Sequence, residues 1–377
     1  MDFDLPKDVA LVRRTARQFA EKTIAPLVPE MEKSRHFPEG LIRELGDLGV
    51  LGLVVPPKYG GSGLGYLART VAIEELSRVS AAVGLAVQVH HMGAATLVEF
   101  GSEDQKKKYL PPLVAGDYLG VCAITEPTGG SDLLGMMTTA QRSGPVYVIN
   151  GRKCFITNSH LSKAPVFVVK TGEGSKGLSA FVVDEGTRGF SPGREENKLG
   201  LWGADTGELV FKDCRLAAGN MIGGEGEGMT IALKIISEVG RSGMAAIALG
   251  ILQACLDEAV TFAKSRNLYG RPIAQLQAIQ WHIADIYANL AASRHLCYHA
   301  SWLKDRGREC ATETTLAKTY VTDAAVTCAR KALEVHGGSG AMMEYAVQRL
   351  FRDAMVCVSA GGTTEIGKIV ISRAALS

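Results

Sequence analysis

The chain has 377 residues, with 41 Lys+Arg against 39 Asp+Glu and an apolar fraction of 46%. That length supports a large core and two or three layers or domains, and the near-zero net charge argues against nucleic-acid or membrane-surface binding. Eight cysteines with no CxxC and no tight Cys/His spacing argue against a zinc site or a disulfide framework, so no metal is expected and a reducing cytoplasm fits.

The N-terminus, MDFDLPKDVALVRRTARQFAEK, lacks a signal-peptide core and reads as an amphipathic helix beginning at Pro6. No apolar run is expected to span a bilayer, which takes about 20 residues. LIRELGDLGVLGL predicts a second helix, ended by the loop VPPKYGGSGLG. TVAIEELSRVSAAVGLAVQVHHMGAATLVEF predicts two further apolar helices, and EDQKKKYLPPLVAG one more. From about Leu119 the texture changes. VCAI, VYVI, KCFIT, VFVVKT, LSAFVVD and GELVFKDCRL are short β-rich runs, spaced like antiparallel strands of a barrel or sandwich. After GGEGEGM, helices of bundle length return, the first being one continuous apolar stretch, TIALKIISEVGRSGMAAIALGILQACLDEAVTFAKSR. The expected fold is α+β: an N-terminal helical domain (1–117), a middle β-barrel (118–226) and a C-terminal four-helix bundle (227–377).

Two stretches carry chemistry. AITEPTGGSD (123–132) runs a strand into a Gly-rich turn whose N–H and hydroxyl donors suit a phosphate or an electron-rich ring. An ordinary β-turn reads the same. In GRKCFITNS (151–159), Phe155 and Thr157 stand two apart on one strand and share a face. Such a pair can stack on a planar ring and bond its edge; a half-buried strand is the plain alternative.

Together, TEPxxGSD followed by KxFITN resembles the acyl-CoA dehydrogenase family of flavoproteins. The resemblance continues through EVGRSGMAA (238–246), RNLYGRPI (266–273), HGGSG (336–340), QRLFRDA (348–354) and TTEI (363–366), and covers essentially the whole chain in order. It implies FAD as cofactor, an acyl-CoA thioester as substrate and an electron-transferring flavoprotein or similar carrier as redox partner. It also implies a homo-oligomer, usually a tetramer, because FAD is shared between subunits, and neither nucleic-acid binding nor membrane insertion. Thr125, Gly130 and Ser131 match positions around the isoalloxazine and pyrophosphate. Phe155 matches the aromatic that packs on the flavin, and Thr157 the hydroxyl near N5. Arg266, Tyr269 (usually Phe) and Gln277 match residues that hold a neighbouring subunit's FAD. Glu334 (often Gln), Gly337, Gly338, Thr363 and Glu365 match further cofactor contacts. Ser131, Glu238 (usually Asp) and Arg241 match contacts to the CoA thioester.

The resemblance also marks a loss. In most relatives a glutamate removes the α-proton, and it would stand at Gly361. A minority place it at the position of Gly240. Both are glycine here, and glycine has no side chain that can transfer a proton. Three explanations are open: a base moved elsewhere, an enoyl-CoA reductase, or a non-redox desulfinase or lyase that removes no α-proton. The helix VQVHHMG offers His90 and His91, and imidazole can serve as acid or base near neutrality. Helix neighbours point about 100° apart, so one of the two faces the acyl group, and His91 is preferred. Relatives that oxidise alicyclic enoyl-CoA esters also lack the usual glutamate, which favours an unsaturated or alicyclic acyl group. His160, His282 and His336 read as structural, and Met342, Met343 and Tyr345 as packing.

Overall fold

The computed structural model describes residues 4–377. Pro6 opens α1 (Lys7–Phe19), where its missing N–H costs nothing. It is followed by α2 (Val28–Ser34), α3 (Gly40–Asp47), α4 (Gly65–Val79), α5 (Ala81–Phe100) and α6 (Glu103–Ala115). The break between α4 and α5 is Ser80, whose hydroxyl accepts from the Val83 N–H and caps α5. Ser102 and Gln105 form a reciprocal capping box that starts α6.

The middle segment contains β1 (Cys122–Ala123), β2 (Thr139–Ser143), β3 (Val146–Thr157), β4 (Val166–Lys170), β5 (Leu178–Val182), β6 (Phe190–Glu195), β7 (Thr206–Ala217) and β8 (Met221–Ile222). They form one eight-stranded sheet in the order β6-β7-β3-β2-β4-β5-β8, with β1 paired to β4. One expectation needs correction: the pairing is not all antiparallel, for β4 runs parallel to both β1 and β2. VYVI and KCFIT are one strand, β3, bent by register shifts near Gly151 and again between Lys153 and Ile156.

The chain then enters α7 (Gly228–Lys234) and α8 (Arg241–Ser265), joined by a π-helical segment over Ile235–Gly240. A hairpin of β9 (Asn267–Leu268) and β10 (Arg271–Pro272) leads to α9 (Gln277–Asp305), α10 (Ala311–His336), α11 (Ala346–Ser359) and α12 (Thr364–Leu376). Helices from both ends of the chain share one core: Val71, Leu76 and Val83 of α4 and α5 belong to the same buried cluster as Leu249, Leu252, Val321 and Leu350. A second cluster joins α5 and α6 to the sheet and the π segment through Leu97, Leu110, Val168 and Val239.

Contrary to expectation, two helical stretches, Ala81–Phe100 and Gly228–Ser265, are long and apolar enough to cross a membrane by length and composition. Packing explains their apolarity, since 83% and 61% of their apolar windows are buried inside the fold.

Candidate functional site

The first group of predicted residues sits where β1 leaves the sheet and β3 ends. The Cys154 N–H donates to the Thr125 carbonyl at 3.0 Å. A Cβ added to Gly130 would lie 2.9 Å from Thr125 Oγ1, so the turn closes tightly on that threonine. Glu126 fixes the loop from beneath. Its carboxylate accepts from the Met137 and Thr138 N–H groups and pairs with the fully buried Lys153 at 2.7 Å. Burial pushes the Glu126 carboxyl up, but Lys153 and these N–H donors outweigh it and the net shift is down. Burial also lowers the Lys153 amine to about 8. Removing one charge of such a pair strands the other, at a cost of about 3–5 kcal/mol. Glu126→Gln is therefore expected to lower the thermal midpoint and weaken cofactor retention together; an unchanged midpoint would refute this role.

Just beyond Lys153 the bulge turns Phe155 outward, with φ +57° and 62% exposure. Thr157 lies two residues on, nearly buried. Asn158 then ties the sheet to α5 by donating to the Ala86 carbonyl at 2.9 Å and the Gly120 carbonyl at 3.1 Å. Ser131 is exposed on the same turn, which Asp132 shapes by accepting from the Leu134 and Gly135 N–H groups.

The second group lies at the α8–α9–α10 end. Arg266 and Tyr269 stand on the β9–β10 hairpin and Gln277 at the start of α9, all exposed. Tyr269 is 90% exposed at φ +54°. Glu334 pairs with Arg330 and lies 3.7 Å from His282 Nε2. Gly337 adopts φ +56°, ψ −137°, which only glycine tolerates, and a Cβ at Gly337 or Gly338 would meet nothing within 4 Å. Among the described residues, no hydrogen bond, ion pair or ring contact links this group to Phe155 or Thr157. An outward aromatic on a strained bulge and open glycines beyond a helix C-terminus both fit FAD: one end awaits a planar ring, the other a close-lying backbone partner. Thr363 caps α12 by accepting from the Ile366 N–H at 3.4 Å, and Glu365 is exposed in its first turn.

The third group is the pair of positions at which the sequence resemblance would place a base, Gly361 and Gly240, and the structure brings them together. A Cβ on Gly361 would point to within 3.7 Å of the Gly240 carbonyl oxygen. Met244 Cγ would lie 2.8 Å from that Cβ, while Gly240 faces Met92. Arg241 lies beside Gly362 and donates to Thr315 Oγ1 at 2.7 Å; burial lowers its pKa. The Lys318 ammonium holds the loop by donating to the carbonyls of Val358 and of Gly362, the latter at 2.7 Å. Glu238 is engaged by Lys304, which also reaches Glu99 at 3.0 Å.

The π segment exposes carbonyls that an α-helix would satisfy internally. Gln88 donates to those of Val239 and Gly240 at 3.2 and 3.1 Å, Arg69 to that of Val239 at 2.9 Å, and Thr314 to that of Ser237 at 2.6 Å. Sequence reasoning missed Arg69 because it preceded the stretch read as helix. The only available signal was a charge three residues after Tyr66, next to an apolar run.

The two histidines behave differently. His90 Nδ1 accepts from the Gly120 N–H at 3.1 Å, and Nε2 bonds the Leu51 carbonyl at 3.0 Å. Both nitrogens are committed to backbone, and burial lowers the pKa to about 4. This corrects the expectation for His90, which is a structural residue. His91 is fully buried with neither ring nitrogen in a hydrogen bond of good geometry. Burial, then the Arg69 charge and the His90 ring, hold its pKa well below the usual value, although the Val50 carbonyl opposes them, so the ring is neutral. Met92, not His91, is the α5 side chain that a Cβ at Gly240 would meet.

His160 Nδ1 lies 2.8 Å from Asp205 and Nε2 lies 2.9 Å from the Gly193 carbonyl. Burial disfavours the charged ring, but Gly193 and Asp205 outweigh it and the pKa is raised. The stability this gives is fully present below the unfolded pKa of about 6.5 and is lost as pH rises through the higher folded value. His160→Gln is expected to lower the midpoint more at about pH 5.5 than at about pH 9; an equal loss at both would count against the charged pair.

Comparison with known proteins matches the acyl-CoA dehydrogenase N-terminal domain to residues 6–117, the middle domain to 121–214 and the C-terminal domain to 226–376. An acyl-CoA dehydrogenase of Bacillus subtilis (strain 168) is 43% identical over 97% of both chains. An acryloyl-CoA reductase (NADH) of Anaerotignum propionicum is 37% identical over 99% of this chain and 95% of its own. Among solved structures, a chain from work on the electron transferring flavoprotein of Acidaminococcus fermentans and flavin-based electron bifurcation matches at TM-score 0.98 and 37% identity, covering 100% of both.

Proposed function

The chain belongs to the acyl-CoA dehydrogenase family, with FAD as cofactor and acyl-CoA thioesters as substrates, and we propose that it oxidises an unsaturated or alicyclic acyl-CoA using His91 in place of the absent glutamate. One observation carries this reading: His91 is a fully buried, neutral imidazole that makes no hydrogen bond of good geometry and has only the Val50 carbonyl as a weak backbone partner, one residue from the Met92 side chain that a Cβ at Gly240 would meet. A structural histidine normally commits its nitrogens, as neighbouring His90 does. In this reading a ring nitrogen of His91 takes the proton that leaves the acyl carbon, directly or through one water, and the ring becomes imidazolium. FAD, when bound, supplies the acceptor for the electron pair and second hydrogen. Phe155 and Thr157 hold the flavin ring, while Thr125, Gly130 and Ser131 shape its turn. Arg266, Tyr269, Gln277, Glu334, Gly337 and Gly338 serve a cofactor shared with a second subunit, in a homo-oligomer we take to be a tetramer. Met92 and Met244 give the acyl group an apolar wall.

An electron transferring flavoprotein, or a similar carrier, is the proposed redox partner in the cytoplasm. The same glycine pair also suits the reverse reaction, enoyl-CoA reduction, and a relative 37% identical is named an acryloyl-CoA reductase. Anaerobic titration of the FAD-loaded protein separates the two. The oxidative reading predicts bleaching of the flavin by the unsaturated or alicyclic thioester. Absence of bleaching, with re-oxidation of chemically reduced flavin by an enoyl-CoA, would replace it with the reductase.

A further inference from the structure

We propose that His160, Asp205 and Glu195 form a binding site for a divalent transition-metal ion of the Zn²⁺ class, where the ends of β3 and β6 meet the start of β7. The inference is independent of how the acyl group is oxidised.

Three strands deliver the side chains. His160 follows the end of β3, Asp205 precedes β7, and Glu195 is the last residue of β6. Thr157 pairs with Thr206 and Glu195 with Gly207, so the three converge although 45 positions separate His160 from Asp205. One possible ligand atom from each lies within 4.8 Å of the other two. Gly207 makes the room, for a Cβ there would lie 2.5 Å from His160 Cε1. Asp205 Oδ2 accepts from the His160 backbone N–H at 2.8 Å, which fixes the carboxylate against the ring. Glu195 Oε2 lies 3.6 Å from His36 Nδ1, which brings a second imidazole to the rim. These positions are too far apart in sequence to form a spacing motif, so the expectation of no metal, drawn from the cysteines, does not bear on them.

The ring's hydrogen bonds call for a cation. Nε2 faces the Gly193 carbonyl at 2.9 Å, and a carbonyl only accepts, so Nε2 carries a hydrogen. The neutral ring then turns the Nδ1 lone pair toward Asp205 Oδ1 at 2.8 Å. A lone pair and a carboxylate at that distance repel unless a cation lies between them. The Ser159 hydroxyl, 3.1 Å from Nδ1 and 3.4 Å from Asp205 Oδ2, has a single hydrogen and brings no charge. Where no metal is supplied a proton fills the place, and a metal ion can take it instead. An imidazole whose other N–H is held by a backbone carbonyl is also oriented as metal-ligating histidines are. One imidazole nitrogen with two carboxylate oxygens suits Zn²⁺ with a water in the fourth position, whereas Mg²⁺ prefers oxygen donors alone. Lys198, whose charge acts on both carboxylates, donates to the Ala204 carbonyl at 2.7 Å. Arg194 pairs with Glu196 and Glu208. A bound ion would tie the end of β6 to the segment that directly follows Thr157 and Asn158.

The test uses the full-length, FAD-loaded protein, treated with a chelator and dialysed, with Zn²⁺ alone as the probe. Calorimetric titration should find one Zn²⁺ per chain, and about 100 µM Zn²⁺ should raise the thermal midpoint. Mg²⁺ at the same concentration should do neither. Glu195→Gln, at an exposed position, should weaken Zn²⁺ binding at least about tenfold, and His160→Gln should abolish it together with the rise in midpoint. Absence of Zn²⁺ binding in the wild type, equal binding of Mg²⁺, or Zn²⁺ binding unchanged in either variant would overturn the inference. If His160→Gln fails to fold, the wild-type titration and Glu195→Gln still decide.

Discussion

Gly240→Glu should convert the protein into a dehydrogenase of saturated straight-chain acyl-CoA, whereas Gly361→Glu should not. Both place a carboxylate where the sequence resemblance would put the base, but the backbones differ. Gly240 has helical angles, φ −63° and ψ −55°, and its Cβ would meet the flexible end of Met92 at 3.3 Å and the Ile235 carbonyl oxygen at an ordinary contact distance of 3.5 Å. Glutamate there needs a small rotation of one thioether chain. Gly361 sits at φ +70°, before a second glycine at φ +106°, and its Cβ would meet Met244 at 2.8 Å. A side chain at such an angle costs about 1–3 kcal/mol before any clash. Lys318 pins the same loop through the Gly362 carbonyl, so it cannot shift freely. A placed general base is worth about 10²–10⁴-fold in rate, and Gly240→Glu should gain that order over the wild type on a saturated thioester. Steady-state turnover with an artificial electron acceptor is the measurement. Equal gains from both substitutions would show that the loop at Gly361 is not constrained as described.

His91→Gln should lose about 10²–10⁴-fold in turnover with the natural thioester, while the flavin spectrum and thermal midpoint change less than in His90→Ala. Glutamine keeps most of the buried volume, and His91 has no hydrogen bond of good geometry to lose. His90→Ala should do the opposite. It strips a partner from the Gly120 N–H and the Leu51 carbonyl, so its damage appears in the midpoint first. If both variants lost stability and activity in parallel, His91 would be a second structural histidine.

What the sequence revealed followed the physical origin of each signal. TEPTGGSD and KCFITN each read alone as an ordinary turn or strand, and it was their order and spacing together, through the family resemblance, that singled them out; the Glu126–Lys153 pair between them came only from the structure. The three-part layout was legible because helical and strand periods differ. β2 (TAQRS) and β6 (FSPGRE) escaped because they are short, mostly exposed and lack apolar alternation. The parallel pairing of β4 lies in long-range contacts that no local pattern records. The π segment was invisible because apolar residues run without interruption through Ile235–Gly240; what betrays it is a set of carbonyls held by Gln88, Arg69 and Thr314, residues far away in sequence. Adjacent histidines looked equivalent on paper, and packing against Gly120 and Leu51 separated them. The glycines at 240 and 361 read alike in the sequence, and only the backbone angles separate them, helical at Gly240 and left-handed at Gly361.

The most direct test of a displaced base is a crystal structure of the FAD-loaded protein with a non-reactive thioester analogue. The account predicts a ring nitrogen of His91 within hydrogen-bond reach of the position a departing acyl proton would occupy, directly or through one ordered water, with Met92 and Met244 flanking the chain. An acyl group enclosed only by Met92, Met244 and the two glycines, with His91 shut off behind α5, would contradict it.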